Sequence, residues 1–384
     1  MDDATLGAAL RCLPLTGRPR PACRPLPERV AEVTEVARAA CRPAGALAEA
    51  SHALNKAALI ASDCGLPDLA RDLCWQHINA YRLPQRPLAV QQARGILEPA
   101  LNLARLRIRA KEHDKALHLL GDIHQAITTV TDLTIDGEVL PLSRLAVTQE
   151  EHRKLREWAW LQHLSEGIRA HVLAARWDEA ARHAELHHGI GNHLMEGRQT
   201  AIILRCLSRD LAAAGQMLAD TAVTEPWERQ VATCLAVICA QDQAASRRHI
   251  TAMTESFQPA EPVPGYATYR AKLGIVTIVL ARDADPAEAK RIASTVTTEV
   301  IGSSDGYAAR EVLAHPTAAD LLSVRQRQQL DGTAAASGLA AGSIAEPLHR
   351  DLMAAVSTAE HRLHVLLNSP SAACDTPSSR KSTY

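Results

Sequence analysis

The sequence predicts an all-α protein, and three observations support this prediction. Apolar residues recur at intervals of three and four along most of the chain, as in Leu101, Ala104 and Ile108, which is the spacing of one helix face. A parallel sheet needs strands that alternate with helices, and no such alternation is found. Only residues 131–142, TDLTIDGEVLPL, have the character of paired strands.

The first 43 residues are predicted to form a poorly ordered arm. Residues 11–27, RCLPLTGRPRPACRPLP, are dense in proline and arginine, and proline interrupts a helix because it lacks a backbone donor. One helix is expected over residues 28–40. The opening residues, MDDATLGAAL, are acidic and contain no long apolar core, so they do not predict a secretory signal.

Residues 44–367 are predicted to form one domain of successive helices, with a short β-hairpin inserted near residues 131–142. In the hairpin, β-favouring residues flank Asp136 and Gly137, a dipeptide suited to a type I′ turn. Residues 294–301, STVTTEVI, are rich in β-branched side chains but follow a good helix former without a break, so they are expected to end a helix. The tail, residues 368–384, is rich in serine and proline and is predicted to be disordered.

Three nine-residue segments align without gaps and predict turns between helices. They are GLPDLARDL (65–73), KEHDKALHL (111–119) and ARWDEAARH (175–183). Each has aspartate at the fourth place, which we expect to cap the second helix of a hairpin. Each has alanine at the sixth place, where a small side chain lets the two helices approach closely.

This pattern resembles the inter-helix turn of tetratricopeptide (TPR) repeats, in which a small residue precedes an acidic turn and an alanine opens the second helix. The motif alanines, Ala70, Ala116 and Ala180, lie 46 and 64 residues apart, whereas TPR repeats recur at ~34 residues. The resemblance therefore implies a TPR-like α-solenoid of degenerate helical hairpins with longer helices and one small inserted β-hairpin.

The chain also resembles a group of uncharacterised actinobacterial proteins. The resemblance lies in NKAALIASDCGLPDLAR (55–71), EGRQ (196–199) and EPWER (225–229). It implies no particular activity.

Composition makes several classes of function improbable. Lys and Arg total 42 against 43 for Asp and Glu, so no global field attracts nucleic acid or an anionic membrane. The longest apolar run, LGIVTIVLA (273–281), is far shorter than the ~20 residues of a membrane helix. Nine cysteines without a CxxC pair indicate neither a disulfide framework nor a structural zinc site. We expect a cytoplasmic protein without a cofactor that binds neither nucleic acid directly nor a membrane.

Five residues outside the histidine-rich stretch are candidates to line a ligand groove. In TPR proteins that bind peptide carboxylates, Asn, Lys and Arg on first helices line the concave surface, so the resemblance implies ligand contacts at Asn55, Lys56, Asn102 and Arg105. An unpaired buried amide costs about 1–3 kcal/mol, and a hydrogen bond between helices would satisfy it as well as a ligand. Trp160 is added because tryptophan is favoured at binding hot spots, with core packing as the alternative.

His163, His183 and His187 complete the set of groove candidates. His183 and His187 lie four residues apart in ARWDEAARHAELHHGIGNHL (175–194), so they share one helix face. A zinc site would need a third ligand from another helix, for which His163, Glu166 or His171 could serve. The alternative is a pair of imidazoles at the edge of an inter-helix groove. We predict the latter, with no metal.

The segment GSSDG (302–306) matches the pattern G-x-S-x-G, with Ser304 at the place of a nucleophile. A nucleophile elbow lies on top of a multi-strand sheet and needs an oxyanion-hole loop earlier in the chain. The sequence contains neither, so an ordinary Gly/Ser loop is predicted.

These observations predict a non-catalytic scaffold or adaptor that binds a protein or peptide in the groove of a TPR-like superhelix. An extended or helical segment would dock there through apolar pockets and hydrogen bonds from Asn and Arg. Two alternatives stay open. One is a helical accessory enzyme of specialised metabolism that uses the histidine cluster as its site. The other is a small-molecule-responsive regulatory protein that acts through a partner.

Overall fold

Helices dominate the structure, as the sequence predicts. The computed structural model describes residues 2–42, 47–82, 87–259, 261 and 263–368. Within these residues there are eighteen helices, one short 3₁₀ helix and one sheet of two short strands. The all-α class is therefore confirmed. The predicted disordered tail lies, after residue 368, outside the described residues.

In chain order the elements are α1 (Asp3–Leu10), α2 (Leu26–Ala40), α3 (Leu47–Asp63), α4 (Pro67–Arg82), α5 (Val90–Arg109), α6 (His113–Thr129), β1 (Leu133–Ile135), β2 (Glu138–Leu140), α7 (Gln149–Leu173), α8 (Trp177–Leu186), α9 (Glu196–Leu207), α10 (Leu211–Ala219), α11 (Pro226–Ile238), α12 (Gln243–Ser256), α13 (Ala267–Ala281), α14 (Pro286–Ser303), α15 (Gly306–Ala314), α16 (Pro316–Ala319), α17 (Val324–Ala336) and α18 (Glu346–Asn368). The 3₁₀ helix is Leu142–Arg144. Residues 294–301 belong to α14, as the sequence predicts.

The chain divides into two compact units that are interleaved in sequence. The first unit comprises the described residues up to Pro25 together with Ala175–Ser337. The second unit comprises Leu26–Ala174 together with the described residues from Gly338 onward. The predicted limits of the arm (1–43) and of the helical domain (44–367) stay predictions.

In the first unit, α13 lies at the centre of the core. It packs against α1, α11, α14 and α15, and every residue from Leu273 to Ala281 is buried. A helix that is apolar all round must be covered on all sides, which explains this position for the longest apolar run of the sequence. In the described part of the chain no helix is both long and apolar enough to cross a lipid bilayer.

In the second unit, helices pack in chain order. Each of α3 to α6 packs against the helix that follows it, and α3 also contacts α5, as α5 contacts α7. Helix α18 packs against α2 and α3. Most of the buried apolar side chains of these helices form one continuous core, and Ile108, Ala116 and Ala170 form a small separate cluster.

The β-hairpin is present at the predicted place. Strands β1 and β2 are antiparallel, with Leu133 opposite Leu140. Asp136 and Gly137 join them with φ values of 52° and 85°, and a type I′ turn requires positive φ at both central residues. Leu133, Ile135 and Leu140 extend the core of the second unit.

The aligned turn segments share one backbone geometry. Their first residues all have positive φ: Gly65 (77°), Lys111 (62°) and Ala175 (60°). Their sixth-place alanines are all 0% exposed: Ala70, Ala116 and Ala180. The structure adds a fourth turn of this geometry at residues 209–217, RDLAAAGQM, in which Arg209 has φ 62° and the sixth residue, Ala214, is fully buried, although the fourth residue is not aspartate. A left-handed residue followed by a buried alanine is thus the common turn.

The expected side-chain caps of this motif do not form at α6 and α8. These helices are flanked by Glu112 and Arg176, neither of which donates or accepts a capping hydrogen bond through its side chain. The motif residues Asp114 and Asp178 lie two residues later, in the first turn of each helix. A carboxylate in the first turn stabilises a helix through its dipole, which accounts for the acidic residue without a cap.

His77 of α4 is a buried ionisable group in the core of the second unit. It is 1% exposed, and neither ring nitrogen has a hydrogen-bond partner among the described residues. Its ring lies 5.8 Å from that of Tyr81. Burial lowers the pKa of His77 from 6.5 to about 3, so the folded protein holds this imidazole neutral at physiological pH.

We expect His77 to destabilise the fold in mild acid. Its pKa is lower in the folded chain than in the unfolded chain, so the unfolded chain takes up its proton first. The stability is therefore complete above about pH 6.5 and declines as the pH falls toward 3. Between pH 7 and pH 4.5, urea unfolding should show the wild type losing roughly 2–3 kcal/mol more than His77→Leu.

The matched control for this prediction is His361→Leu, which removes an exposed histidine of α18 in the same unit. This variant should lose stability in parallel with the wild type. Equal pH dependence of the wild type and His77→Leu would show that His77 is not the group responsible.

Candidate functional site

Four of the predicted groove residues lie on α3 and α5 of the second unit. The side-chain amide of Asn102 donates to Asn55 Oδ1 at 2.5 Å, and Arg105 donates to the side-chain oxygen Oδ1 of Asn102 at 3.1 Å. Lys56 forms an ion pair with Glu32. Asn102 is buried and the other three are partly buried. The structure therefore joins Asn55, Asn102 and Arg105 in one chain of hydrogen bonds.

This chain continues to α7. Arg105 donates from Nε to Glu166 at 2.6 Å and from Nη2 to Gln162 at 3.2 Å, and Arg169 donates to the other oxygen of Glu166 at 3.3 Å. Burial would raise the pKa of Glu166, but the two guanidinium groups outweigh it and hold that pKa below its ordinary value. We call these hydrogen-bonded side chains of α3, α5 and α7 the polar network. In this network the side-chain amides of Asn55 and Asn102 form a hydrogen bond between α3 and α5.

The remaining predicted residues lie in different units. Trp160 and His163 belong to α7 of the second unit, where Trp160 is half-buried and the buried His163 ring stacks on His124 at 5.2 Å. His183 and His187 belong to the first unit, with ring centroids 4.5 Å apart. The structure thus brings His183 and His187 together at the end of α8. The zinc-site and groove-edge interpretations of this pair stay predictions.

A different arrangement, which was not predicted, is found in the first unit. Residues 11–25 form a non-helical segment between α1 and α2. Proline at positions 14, 19, 21 and 25 prevents this segment from continuing as a helix. Its apolar side chains are nevertheless buried: Cys12, Leu13, Leu15 and Cys23. The segment therefore binds to the helices of the first unit.

Gln199 of α9 hydrogen-bonds to both backbone groups of Leu15, the N–H and the carbonyl. The Leu15 N–H donates to Gln199 Oε1 at 2.8 Å, and Gln199 Nε2 donates to the Leu15 carbonyl at 2.7 Å. The second proton of the amide is used by the Leu194 carbonyl, also at 2.7 Å. Gln199 is 0% exposed. Its carboxamide thus presents the donor and acceptor that the edge of a β-strand would present.

Gly17 contacts Trp227 of α11, and Arg18 contacts Glu196 of α9. A Cβ atom on Gly17 would lie 2.7 Å from Cδ1 of Trp227, which is inside van der Waals contact, so only glycine allows this approach. Arg18 Nη2 forms an ion pair with Glu196 Oε2 at 3.2 Å. The other oxygen of Glu196 accepts from Thr16 at 3.5 Å.

Arg20 contacts two neighbouring groups. Its N–H donates to the Gly265 carbonyl at 2.8 Å. Its guanidinium carbon lies 5.3 Å from the centre of the Tyr307 ring, within the range of a cation–π interaction. Arg310 approaches the same ring at 5.5 Å, so two cations lie close to one aromatic ring.

Both backbone groups of Cys23 are hydrogen-bonded, as those of Leu15 are. Its N–H donates to Asp305 Oδ1 at 3.0 Å, and its carbonyl accepts from the Gly306 N–H at 2.9 Å and from Ser337 Oγ at 3.0 Å. Asp305 also caps α15 by accepting from the Tyr307 N–H. The GSSDG segment, which ends α14 and begins α15, thus holds the non-helical segment.

Glu228 fixes the surface that carries Trp227. The buried carboxylate accepts from the N–H groups of Thr224 at 2.8 Å, Glu225 at 2.9 Å and Leu194 at 3.1 Å. Desolvation would raise the pKa of Glu228, but these three donors hold it below its ordinary value. Glu228 therefore remains charged and ties the start of α11 to the loop whose Leu194 carbonyl accepts from Gln199.

We call the surface that holds the non-helical segment the segment groove. Its principal residues are Glu196, Gln199, Trp227, Asp305, Tyr307 and Ser337. None of them was among the predicted site residues. One signal was present in the sequence, because Gln199 lies two residues before the apolar stretch AIIL (201–204) of α9, and an amide that is buried with such a stretch requires a hydrogen-bond partner.

No protein-family profile, no curated protein and no solved structure matches the chain. The resemblances to TPR repeats and to actinobacterial proteins therefore stay predictions.

We expect Gln199→Leu to release the segment. The change leaves the backbone groups of Leu15 and the Leu194 carbonyl without partners, which should lower the free energy of unfolding by about 2–4 kcal/mol. Hydrogen exchange of residues 11–25, followed by mass spectrometry, should become faster. Gln216→Leu, at an exposed position of α10, is the control and should change stability by less than about 0.5 kcal/mol. Unchanged exchange in Gln199→Leu would contradict the role assigned to this amide.

Proposed function

We propose that the protein is a non-catalytic scaffold or adaptor that binds a peptide segment of another protein in the segment groove. One observation supports this most directly: the groove already holds a non-helical peptide segment through backbone contacts at Leu15 and Cys23. Main-chain hydrogen bonds give a peptide site its affinity, while side-chain contacts along the chain give specificity. A groove with both features is suited to a peptide.

The surface of α3 and α5 in the second unit, which carries Asn55, Asn102 and Arg105, is the weaker candidate for a peptide site. The proposed TPR-like superhelix would bind its ligand there, and the chain-order packing of α3 to α7 and the buried motif alanines support a TPR-like arrangement. However, Asn55, Asn102 and Arg105 already bond to one another and to Glu166. A ligand would have to replace these bonds, whereas the segment groove shows how a peptide is held.

The bound segment also competes with any partner. A peptide joined to its own binding site by a short tether acts at an effective concentration in the millimolar range. A partner peptide therefore binds only after the segment has left the groove. In this proposal, the segment keeps the groove closed until a partner displaces it.

A change confined to the segment tests this proposal. In full-length Gly17→Ala, the new Cβ collides with Trp227 and should displace the segment while the groove itself stays unchanged. A fluorescent peptide with the wild-type sequence of residues 11–25 should then bind this variant at least ~10-fold more tightly than it binds the wild type. Fluorescence anisotropy at equal protein concentrations measures the difference.

Gly7→Ala is the matched control, because a Cβ atom at Gly7 meets nothing within 4 Å. It should bind the peptide as weakly as the wild type does. Circular dichroism shows whether each variant keeps its helices, and Arg18→Glu provides a second way to loosen the segment. If both segment variants stay helical and neither binds the peptide, the segment groove is not a peptide site.

A further inference from the structure

The contacts of the bound segment also indicate which peptides fit the groove. We infer that the segment groove selects a non-helical peptide with three features in a fixed order. These are a buried apolar residue, a glycine two residues after it, and an arginine directly after the glycine. This inference rests on the proposed function. The positions are those of Leu15, Gly17 and Arg18 in the chain's own segment.

The backbone contacts set the register of the peptide. Gln199 binds the N–H and the carbonyl of Leu15, and Asp305, Gly306 and Ser337 bind those of Cys23. These bonds would form with any residue, so they place the peptide without selecting its sequence. The buried Leu15 side chain adds a requirement for an apolar group at this position.

The glycine requirement comes from Trp227. The peptide backbone at Gly17 lies against the indole ring, and any side chain there would overlap with it. Trp227 cannot easily withdraw, because the neighbouring Glu228 fixes the start of α11 through three backbone donors. Selection for glycine at this position is therefore steric and should be the strongest of the contacts.

The arginine requirement comes from Glu196. Its carboxylate side chain is only 19% exposed and pairs with Arg18 at 3.2 Å. A neutral residue at this position leaves the carboxylate without a cation, and an acidic residue repels it. The second cation, Arg20, is exposed and lies over the Tyr307 ring, which Arg310 also approaches. A cation–π contact at an exposed site contributes little. Arg20 should therefore contribute less than Arg18.

The occupant is a peptide of a different protein, because the matching segment of a second copy is already bound in that copy's own groove. A second copy of this chain carries the same Leu-Thr-Gly-Arg sequence and is the competing possibility. Exchange of segments between two copies would produce a dimer whose fraction rises with protein concentration. Sedimentation of the full-length wild type from low to high concentration distinguishes the two, and a dimer that Gly17→Ala abolishes would overturn the assignment to a different protein.

The selectivity is tested with variants of the peptide spanning residues 11–25, measured against full-length Gly17→Ala. Alanine in place of the peptide's Gly17 should weaken binding at least ~10-fold because of the overlap with Trp227. Glutamate in place of Arg18 should weaken it roughly 5-fold or more, and alanine in place of Arg20 roughly 2-fold. Serine in place of the exposed Ala22 is the control and should change binding by less than about 2-fold.

A charge exchange tests the pairing of Arg18 with Glu196 directly. Full-length Glu196→Arg repels its own Arg18, so the change should open the groove and invert its preference. This variant should bind the peptide that carries glutamate at position 18 more tightly than the wild-type peptide. A merely structural role of Glu196 would weaken binding of both peptides equally.

The outcomes separate this inference from the proposed function. Binding with the expected order of losses, together with the inverted preference of Glu196→Arg, supports the inference. Binding that is equally tight for peptides with glycine and alanine at position 17 overturns it while the groove remains a peptide site. If no peptide binds to any open variant, the proposed function itself fails.

Discussion

The arrangement of the first unit depends on one constraint, which is that buried backbone groups must be hydrogen-bonded. A helix uses its own N–H and C=O groups internally, so the sides of an all-helical unit offer no free backbone partners to another chain. The proline-rich segment cannot satisfy its own groups by forming a helix. It is bound where side chains and the free backbone groups of helix ends and loops replace the missing partners. Gln199 and Asp305 do so at Leu15 and Cys23, and Gly265 and Gly306 contribute backbone groups.

The same constraint explains where these contacts lie. Gln199 is in the first turn of α9, Asp305 caps α15, Ser337 follows α17 and Gly265 precedes α13. Groups that are not used inside a helix occur at its ends. A groove across several helix ends can therefore hold a continuous chain. Glycine at position 17 lets the segment lie against the Trp227 side chain, and glycine at position 306 lets α15 approach the Cys23 carbonyl.

The polar network of the second unit answers a question that the sequence raises. Asparagine in an apolar helix shows that a partner is needed, but the partner can be a ligand or another helix. The packing of α3 against α5 and of α5 against α7 brings Asn55, Asn102, Arg105 and Glu166 within hydrogen-bond distance. Their identity was visible in the sequence. Their mutual pairing depends on helix packing between residues as far as 61 positions apart.

The sequence by itself determined the local features of this protein. Helical periodicity established the all-α class, Asp136 and Gly137 established the hairpin turn, and the aligned segments marked turns with a buried alanine. Each depends on residues that are close together in the chain. The segment groove was decided by the tertiary structure alone, because Leu15 and Gln199 are 184 residues apart, and Cys23 and Asp305 are 282 apart. The sequence shows that a proline-rich segment cannot be a helix; only packing shows what satisfies its backbone instead.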